Sequence, residues 1–373
     1  MPPRTNDDDA ASIASSSSSS SSTRSPTRAH SPTSLFEDSL FTLFSHNQPA
    51  HGDPGDTCRY THRRLPPRYL PPHSTRATTL RYKIAQNSGT NTKLFAHHQW
   101  DAGLYLADLI AEQSGGEEAG GRQRQCVDVR GKSVVELGAG TGLPGLMAAV
   151  MGAERTVITD YPDPHVMDNL ERNLDLALLP RSSTTERHPN PLYLEARKRV
   201  QVIGLGWGNA DEESRVLAAS PASAGYDRVL AADVLWVSSA HPLLIHSIRT
   251  LLQRDRSARC ILIAGFHTGR PAVRRFFVQL AQPADASDSW LDMQRKAGIV
   301  PDWQDDEFGG ICERNVDGSQ RAWSGAPVPR KPDYDEGKWG KFEGDGGAEE
   351  EMGDISDRGS WVVVASLRWA DLE

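Results

Sequence analysis

A glycine-rich stretch between an apolar run and a helical run constrains the fold of this chain more than any other feature. Residues 134–145 read VVELGAGTGLPG, and the apolar residues 146–150 follow them. The pattern predicts a buried strand, a tight turn and the start of a helix. Glycines allow positive φ angles and a close approach of ligand to backbone, and the free N–H groups of a helix start attract anions. The stretch therefore indicates a nucleotide-type pocket at a strand end.

Two nucleotide-binding patterns fit this turn in overlapping frames. The run from Gly140 to Gly145 satisfies the GxGxxG pattern of NAD-binding domains, and Asp160 lies at about the distance of 20 residues where those domains carry an acid. The other frame places Glu136 at the strand end and glycines at alternate positions from Gly138 onward. The turn alone does not decide between the two patterns.

The region around the turn alternates strand and helix patterns without hairpin turns, which predicts an α/β fold with a doubly wound, mostly parallel sheet. One predicted helix carries an apolar residue every four positions from Val166 to Leu178, which makes a single apolar stripe. The predicted strands are Ser133–Leu137, Arg155–Asp160, Val200–Leu205, Asp227–Asp233, Cys260–Phe266, Ile311–Glu313 and Trp361–Trp369, with a further one at Thr79–Ile84. The predicted helices are His97–Ile110, Thr141–Met151, Asp163–Leu179, His241–Gln253 and Pro271–Ala281.

Composition divides the chain into segments. Residues 1–34 contain eight consecutive serines, so we expect a disordered tail there. We expect residues 35–95 to be an N-terminal extension that packs on the core, and residues 96–317 to form the main domain. Residues 318–357 are rich in acidic residues and glycine, which predicts a flexible acidic insertion, and residues 358–373 supply the terminal strand of the main domain.

Several classes of protein are disfavoured. A formal net charge of −8 argues against a dedicated nucleic-acid or membrane-surface protein, and no apolar run reaches the roughly 18 residues of a membrane span. The cysteines lie far apart, and the neighbours His97 and His98 have no spaced carboxylate or cysteine nearby, so we predict no metal site. We expect a cytoplasmic protein with no membrane contact and no direct nucleic-acid binding.

Further stretches complete a recognisable set of motifs: residues 39–44, 94–103, 206–208, 232–236, 264–270 and 361–365. Together with the glycine turn they resemble the S-adenosylmethionine-dependent methyltransferases with a seven-stranded sheet, and within these the protein lysine methyltransferase-like group. The set is most similar to a fungal subfamily, formerly labelled nicotinamide N-methyltransferase-like. That subfamily methylates the N-terminal glycine and adjacent lysine of translation elongation factor 1-alpha. One departure is Gln99, where the family usually has a small apolar residue.

The resemblance implies a Rossmann-like sheet whose last strand is reversed, and S-adenosyl-L-methionine as cofactor. It implies cofactor contacts at Trp100, Glu136, Gly138, Ala139, Gly140, Asp160, Trp207 and Ala232. It also implies that Asp233 orients the acceptor amine and that Trp236 holds a cation against its ring. Two alternatives stay open: Asp160 as a helix N-cap, and Trp100 and Trp207 as core aromatics.

Four functions follow from these residues. The first is a protein N-methyltransferase that acts on translation elongation factor 1-alpha, and the second is a small-molecule, nicotinamide-like N-methyltransferase, since both need an aromatic and acidic mouth. The third is a cofactor-binding scaffold without catalysis, although Glu136, Asp160 and Asp233 argue for an enzyme. The fourth is an NAD-dependent oxidoreductase, which the terminal strand Trp361–Trp369 disfavours because NAD domains do not require it.

Overall fold

The structure is a computed structural model, and all the residues it describes belong to the unit Phe44–Glu373. The described residues are 51–62, 78–86, 96–115, 126–179, 191–266, 269–281, 298–305, 308–315, 318–323 and 360–372. Within these ranges, no helix is both long enough and apolar enough to cross a membrane. The predicted serine-rich tail and most of the acidic insertion lie outside the described residues.

Five parallel strands form the centre of the main sheet, in the order β5-β4-β3-β6-β7. The glycine turn follows β3, so it lies at the carboxyl edge in the middle of the sheet. Ligands of open α/β sheets bind at this edge, where the strand order reverses. The strands are β3 (Ser133–Leu137), β4 (Arg155–Asp160), β5 (Val200–Gly204), β6 (Arg228–Ala232) and β7 (Arg259–Gly265).

The other end of the sheet is antiparallel, as expected from the terminal strand. β11 (Trp361–Trp369) runs antiparallel between β7 and β9 (Ile311–Asn315). The reversed last strand and the seven predicted strands of this sheet are therefore confirmed. Two short strands that were not predicted, β8 (Ile299–Pro301) and β10 (Gln320–Ala322), extend the described sheet to nine. β10 falls within the range assigned to the acidic insertion, and the segment boundaries stay a prediction.

Helices cover both faces of the sheet, which confirms the doubly wound fold. Alternate residues of β3 show this: Val134 packs in one core cluster, with α1 to α4, and Val135 packs in the other, with α5 to α7. The helices are α1 (Asp101–Ser114), α2 (Leu143–Val150), α3 (Pro164–Leu178), α4 (Pro191–Arg199), α5 (Ala210–Ala218), α6 (His241–Leu251) and α7 (Arg270–Ala281). α4 and α5 were not predicted.

A separate hairpin lies against α3. β1 (Thr57–His62) pairs antiparallel with β2 (Thr78–Lys83), and only β2 was predicted. The backbone of Lys83 is anchored on both sides: its N–H donates to Asn173 Oδ1 at 2.7 Å, and its C=O accepts from Asn169 Nδ2 and Asn173 Nδ2, each at 2.9 Å. The hairpin is thereby fixed to a helix whose N-terminus faces the carboxyl edge of the sheet.

Candidate active site

A cavity of about 370 Å³ lies at the carboxyl edge of the sheet, beside the ends of β3, β4 and β6. Every candidate residue named from the sequence lines it, although these residues come from five separate parts of the chain. The set comprises Trp100, Glu136, Gly138, Ala139, Gly140, Asp160, Trp207, Ala232, Asp233 and Trp236. The fold thus brings together residues as far apart in the chain as Trp100 and Trp236.

The glycine turn forms the floor of this cavity, and its glycines are required for two reasons. Gly138 and Gly140 have φ angles of +63° and +56°, which L side chains rarely adopt. A Cβ on Gly138 would also lie 2.8 Å from Val234 Cγ1 and 3.2 Å from Trp207 Cζ2. A Cβ on Gly140 would meet no atom within 4 Å, so the backbone there faces open space that a ligand can occupy.

Glu136 lies beneath the turn and braces the start of α2. Its side chain is fully buried, and Oε2 accepts a hydrogen bond of 2.9 Å from Gly145 N–H. Gly145 leaves room for this contact, because a Cβ there would lie 2.6 Å from Glu136 Oε2. Burial raises the pKa of Glu136 to about 8; the Gly145 hydrogen bond opposes this and the charge of Asp160 adds to it. The carboxyl group is therefore largely protonated near neutral pH.

Asp160 ends β4 and presents a hydrogen-bonded carboxylate to the cavity. Its Oδ2 accepts from Gly140 N–H and its Oδ1 from Tyr161 N–H, both at 2.7 Å. Burial raises its pKa to about 6, although these two hydrogen bonds lower it. The alternative that Asp160 is a helix N-cap is wrong, because Asp163 caps α3: its side chain accepts from the backbone N–H groups of His165 and Val166 in the first turn of the helix.

Trp207 stands opposite the glycine turn on a loop that three side chains hold. Gly206 N–H donates to Glu212 Oε2 at 2.6 Å, and Gly208 N–H lies within reach of both Glu213 Oε1 (3.1 Å) and Ser247 Oγ (3.0 Å). The Trp207 ring lines the cavity and also packs against the apolar core on that side of the sheet. Trp207 is therefore both a residue of the cavity lining and a partly buried aromatic of the core.

Asp233 follows β6 in a left-handed backbone conformation that non-glycine residues adopt uncommonly. Its φ is +57°, while its N–H donates to Ile263 O at 2.7 Å and its Oδ1 accepts from Gly265 N–H at 3.0 Å. Left-handed backbone at a non-glycine residue costs free energy and is concentrated at functional sites. These two hydrogen bonds to β7 hold the carboxylate at the cavity wall, next to Ala232 and close in sequence to Trp236.

Trp100 occupies the N-cap position of α1, so this helix begins four residues later than predicted. The departure at Gln99 does not loosen the turn. Gln99 is buried, its Oε1 accepts from Thr141 Oγ1 at 2.6 Å, and its Nε2 donates to Trp100 O at 3.0 Å. The residue thereby joins the Trp100 turn directly to the glycine turn.

Several lining residues were not named as site residues from the sequence, among them Tyr161, Leu243 and His98. Tyr161 and Leu243 are 53% and 49% exposed, and both lie at the cavity mouth. The His98 ring packs against Trp100 in a tilted arrangement, with ring centroids 5.2 Å apart and an angle of 56° between the ring planes. Burial and the neighbouring His97 lower the pKa of His98 to about 4. Tyr161 had a usable signal, because it directly follows the acid that ends β4. Leu243 had none, since it packs against the backbone of Gly208, which lies 35 positions earlier in the chain.

The model of one protein family matches residues 80–282, which is more than half of the 373 residues and contains the whole lining of the cavity. The description of that family is lysine methyltransferase. The chain belongs to the lysine methyltransferase family. This membership excludes the NAD-dependent oxidoreductase as the interpretation of the glycine turn.

Named relatives are similar over part of their length. A protein N-terminal and lysine N-methyltransferase EFM7 of Yarrowia lipolytica is 33% identical over 43% of this chain and 53% of its own. Its counterpart in Schizosaccharomyces pombe is 29% identical over 51% of this chain and 64% of its own. EEF1A lysine methyltransferase 3 of Xenopus tropicalis is 30% identical over 45% and 58%. The chain thus spans between about half and two thirds of the length of these relatives.

Among solved structures, TYW2 of P. horikoshii matches with a TM-score of 0.33 and 13% identity, covering 78% of this chain and 67% of that chain. Similarity at this level does not contribute to the fold assignment. The strand order and the helix layers of the chain itself carry that assignment.

Proposed function

We propose that this chain is an S-adenosyl-L-methionine-dependent protein N-methyltransferase. Its acceptor is the N-terminal glycine and adjacent lysine of translation elongation factor 1-alpha. The observation that carries the proposal is the convergence of all the candidate residues on one cavity within the region that belongs to the family. The domain boundaries predicted from the sequence and a cytoplasmic location are part of the same proposal.

The cavity has the features that this cofactor needs. Gly140 leaves open space beside its backbone, which suits the methionyl part, and Asp160 offers a buried carboxylate to the ribose hydroxyls. A carboxylate fits that role because it only accepts hydrogen bonds. Trp100, Trp207 and Ala232 provide aromatic and apolar surface for the rest of the molecule. When bound, the cofactor supplies an activated methyl group on a sulfonium.

Asp233 and Trp236 are the residues that we assign to the acceptor amine. The Gly265 N–H fixes the Asp233 carboxylate at the wall, so it can accept hydrogen bonds from an incoming amine without first reorienting. The Trp236 ring can hold the cationic form of the amine by attraction to its face. Because the methyl group arrives already activated, the work of these residues is alignment at a near-attack distance of about 3–3.5 Å.

The two proposed acceptors, an N-terminal amine and a lysine side chain, differ in how readily they lose a proton. The amine must lose its proton before it attacks, and a free α-amino group has a pKa near 8, whereas a lysine has one near 10.4. At neutral pH the α-amine is therefore neutral far more often. The names of the relatives, which include both N-terminal and lysine N-methyltransferase, support the same pair of acceptors.

Mass spectrometry of the acceptor tests the proposal. The chain is incubated with labelled S-adenosylmethionine and either purified elongation factor 1-alpha or nicotinamide. We expect label on the N-terminal peptide of the elongation factor and none on nicotinamide. An elongation factor with an acetylated N-terminus is the matched control and should lose the label at the α-amine only. Label on nicotinamide but not on the protein would establish the small-molecule alternative instead.

A further inference from the structure

A continuous set of buried hydrogen bonds joins four separate segments behind the cavity. Gln99 contacts Thr141 Oγ1 at 2.6 Å, and Thr141 O accepts from Asn173 Nδ2 at 2.9 Å. Asn173 Oδ1 then accepts from Lys83 N–H at 2.7 Å. The Trp100 turn, the glycine turn, α3 and the β1–β2 hairpin are therefore held together by side-chain amides and one hydroxyl.

These groups are shielded from water. Gln99 and Thr141 are each 3% exposed and Asn173 is 1% exposed. A buried polar group without its partner costs the full desolvation penalty, so each member depends on the others. Replacing Gln99 by an apolar residue would leave the Thr141 hydroxyl without that acceptor.

Gln99 occupies its place because the helix beside it leaves room. A Cβ on Gly103, one turn into α1, would lie 2.7 Å from Gln99 Nε2. The same amide nitrogen donates to Trp100 O, which also receives the N–H of Gly103 at 3.1 Å. Gln99 thus sets where Trp100 lies relative to Thr141, and both of these residues line the cavity.

We propose that Gln99 is a positioning residue for the methyl donor. It couples the Trp100 turn to the glycine turn, so that both turns are already in place when the donor binds. This inference rests on the proposed function, because it assumes that the cavity holds S-adenosylmethionine. Ligands bind more tightly to a site whose walls need no ordering on binding.

Calorimetric binding of S-adenosylhomocysteine tests the coupling without any catalytic step. We expect Gln99→Met and Thr141→Val each to weaken binding about tenfold, which corresponds to about 1.4 kcal/mol. Because the two residues share one hydrogen bond, the double variant should bind about as weakly as either single variant. A double variant that is about 100-fold weaker would show two independent effects and would overturn the coupling.

Gln113→Met is the matched control. Gln113 is on the same helix and also buried, and its Oε1 accepts from Val127 N–H at 2.8 Å, away from the cavity lining. Its loss should lower the melting temperature and leave the affinity unchanged. If Gln99→Met behaves in the same way, its role is only structural and the inference is wrong.

Gly103→Ala keeps the inference testable if Gln99→Met does not fold. Alanine displaces the Gln99 amide, and its higher helix propensity in α1 offsets part of the stability lost with the displaced hydrogen bonds. We therefore expect a folded variant that binds S-adenosylhomocysteine more weakly. Unchanged binding would contradict the inference. If the wild-type chain itself does not bind S-adenosylhomocysteine, the proposed function fails, and this outcome is distinct from a failure confined to the variants.

Discussion

The cavity has two walls to which we assign different roles, one toward the methyl donor and one toward the acceptor amine, and they are built in different ways. The donor wall, Gly138–Gly140 with Asp160, is held by backbone N–H groups of the same turn and of the residue that follows β4. The acceptor wall, Asp233 with Trp236, depends on a left-handed residue whose carboxylate is held by the neighbouring strand at Gly265. The Gly140–Asp160 bond links positions 20 apart and the Gly265–Asp233 bond links positions 32 apart, so both walls depend on neighbouring strands. The difference is that the donor wall has its left-handed backbone at glycines, whereas the acceptor wall has it at Asp233. We therefore expect variants of the two walls to have separable effects.

The largest expected effect is on the donor wall. In Asp160→Asn, one of the two accepting oxygens becomes an amide that faces either Gly140 N–H or Tyr161 N–H donor to donor. Since charge-assisted hydrogen bonds contribute roughly 1.5–3 kcal/mol each, we expect the affinity for S-adenosylhomocysteine to fall about 100-fold. Calorimetry measures this, and turnover at saturating donor should change much less.

The pH dependence of binding provides a control for the charge of Asp160. The pKa of this group is about 6. Because the proposed ribose hydroxyls would donate hydrogen bonds to it, the proposed role predicts that the donor binds the ionised form more tightly. The wild-type affinity should therefore fall as pH decreases from 7.5 to 5, about tenfold, while that of Asp160→Asn should not. A wild-type affinity that is flat over this range would contradict the assigned role.

A smaller effect is expected on the acceptor wall, where turnover should fall and donor affinity should change little. Asn tolerates left-handed backbone and can still accept from Gly265 N–H, so Asp233→Asn removes the charge and keeps the geometry. We expect turnover to fall about 30-fold, which corresponds to about 2 kcal/mol and to the loss of one hydrogen bond to a charged group. Donor affinity should stay within about twofold. Equal losses of turnover and donor affinity would erase the distinction between the walls.

The smallest expected effect concerns Glu136 beneath the donor wall. Its folded pKa is about 8, above its usual 4.5, so its contribution to stability is present below pH 4.5 and is lost as pH rises through 8. Glu136→Gln keeps an acceptor for Gly145 N–H and cannot ionise. The melting temperature of Glu136→Gln minus that of the wild type should increase by roughly 5 °C between pH 5 and pH 9, because only the wild type loses stability over this range. A constant difference across this range would show that Glu136 does not titrate in the folded protein.

The secondary structure that the sequence predicted correctly is the part with clear local patterns. Buried strands such as β3 and β4 have their predicted bounds, because apolar runs that end at a glycine or an acid are unambiguous. α4 and α5 were missed because α4 buries only Ala196 and α5 only Glu213 and Val216, which leaves no apolar stripe. Asn209, which caps α5, was the available signal.

Within the site, the residues of each motif were predicted and the contacts between motifs were not. The sequence marked Gln99 only as a departure, because its partner Thr141 is 42 positions away. Asp163 was not recognised as the cap that leaves Asp160 available, although the proline after it is typical of a helix start. Pairings across the fold depend on packing, which a single sequence does not specify.

Calorimetric titration of the wild-type chain with S-adenosylhomocysteine, alongside NAD⁺, tests the central claim most directly. The glycine turn alone satisfies both sequence patterns, whereas the family match and the proposed roles of Gly140, Asp160 and Trp207 favour the first ligand. We predict one S-adenosylhomocysteine per chain with a micromolar dissociation constant, about 8 kcal/mol of binding free energy, and no heat with NAD⁺. Binding of NAD⁺ without binding of S-adenosylhomocysteine would contradict the account.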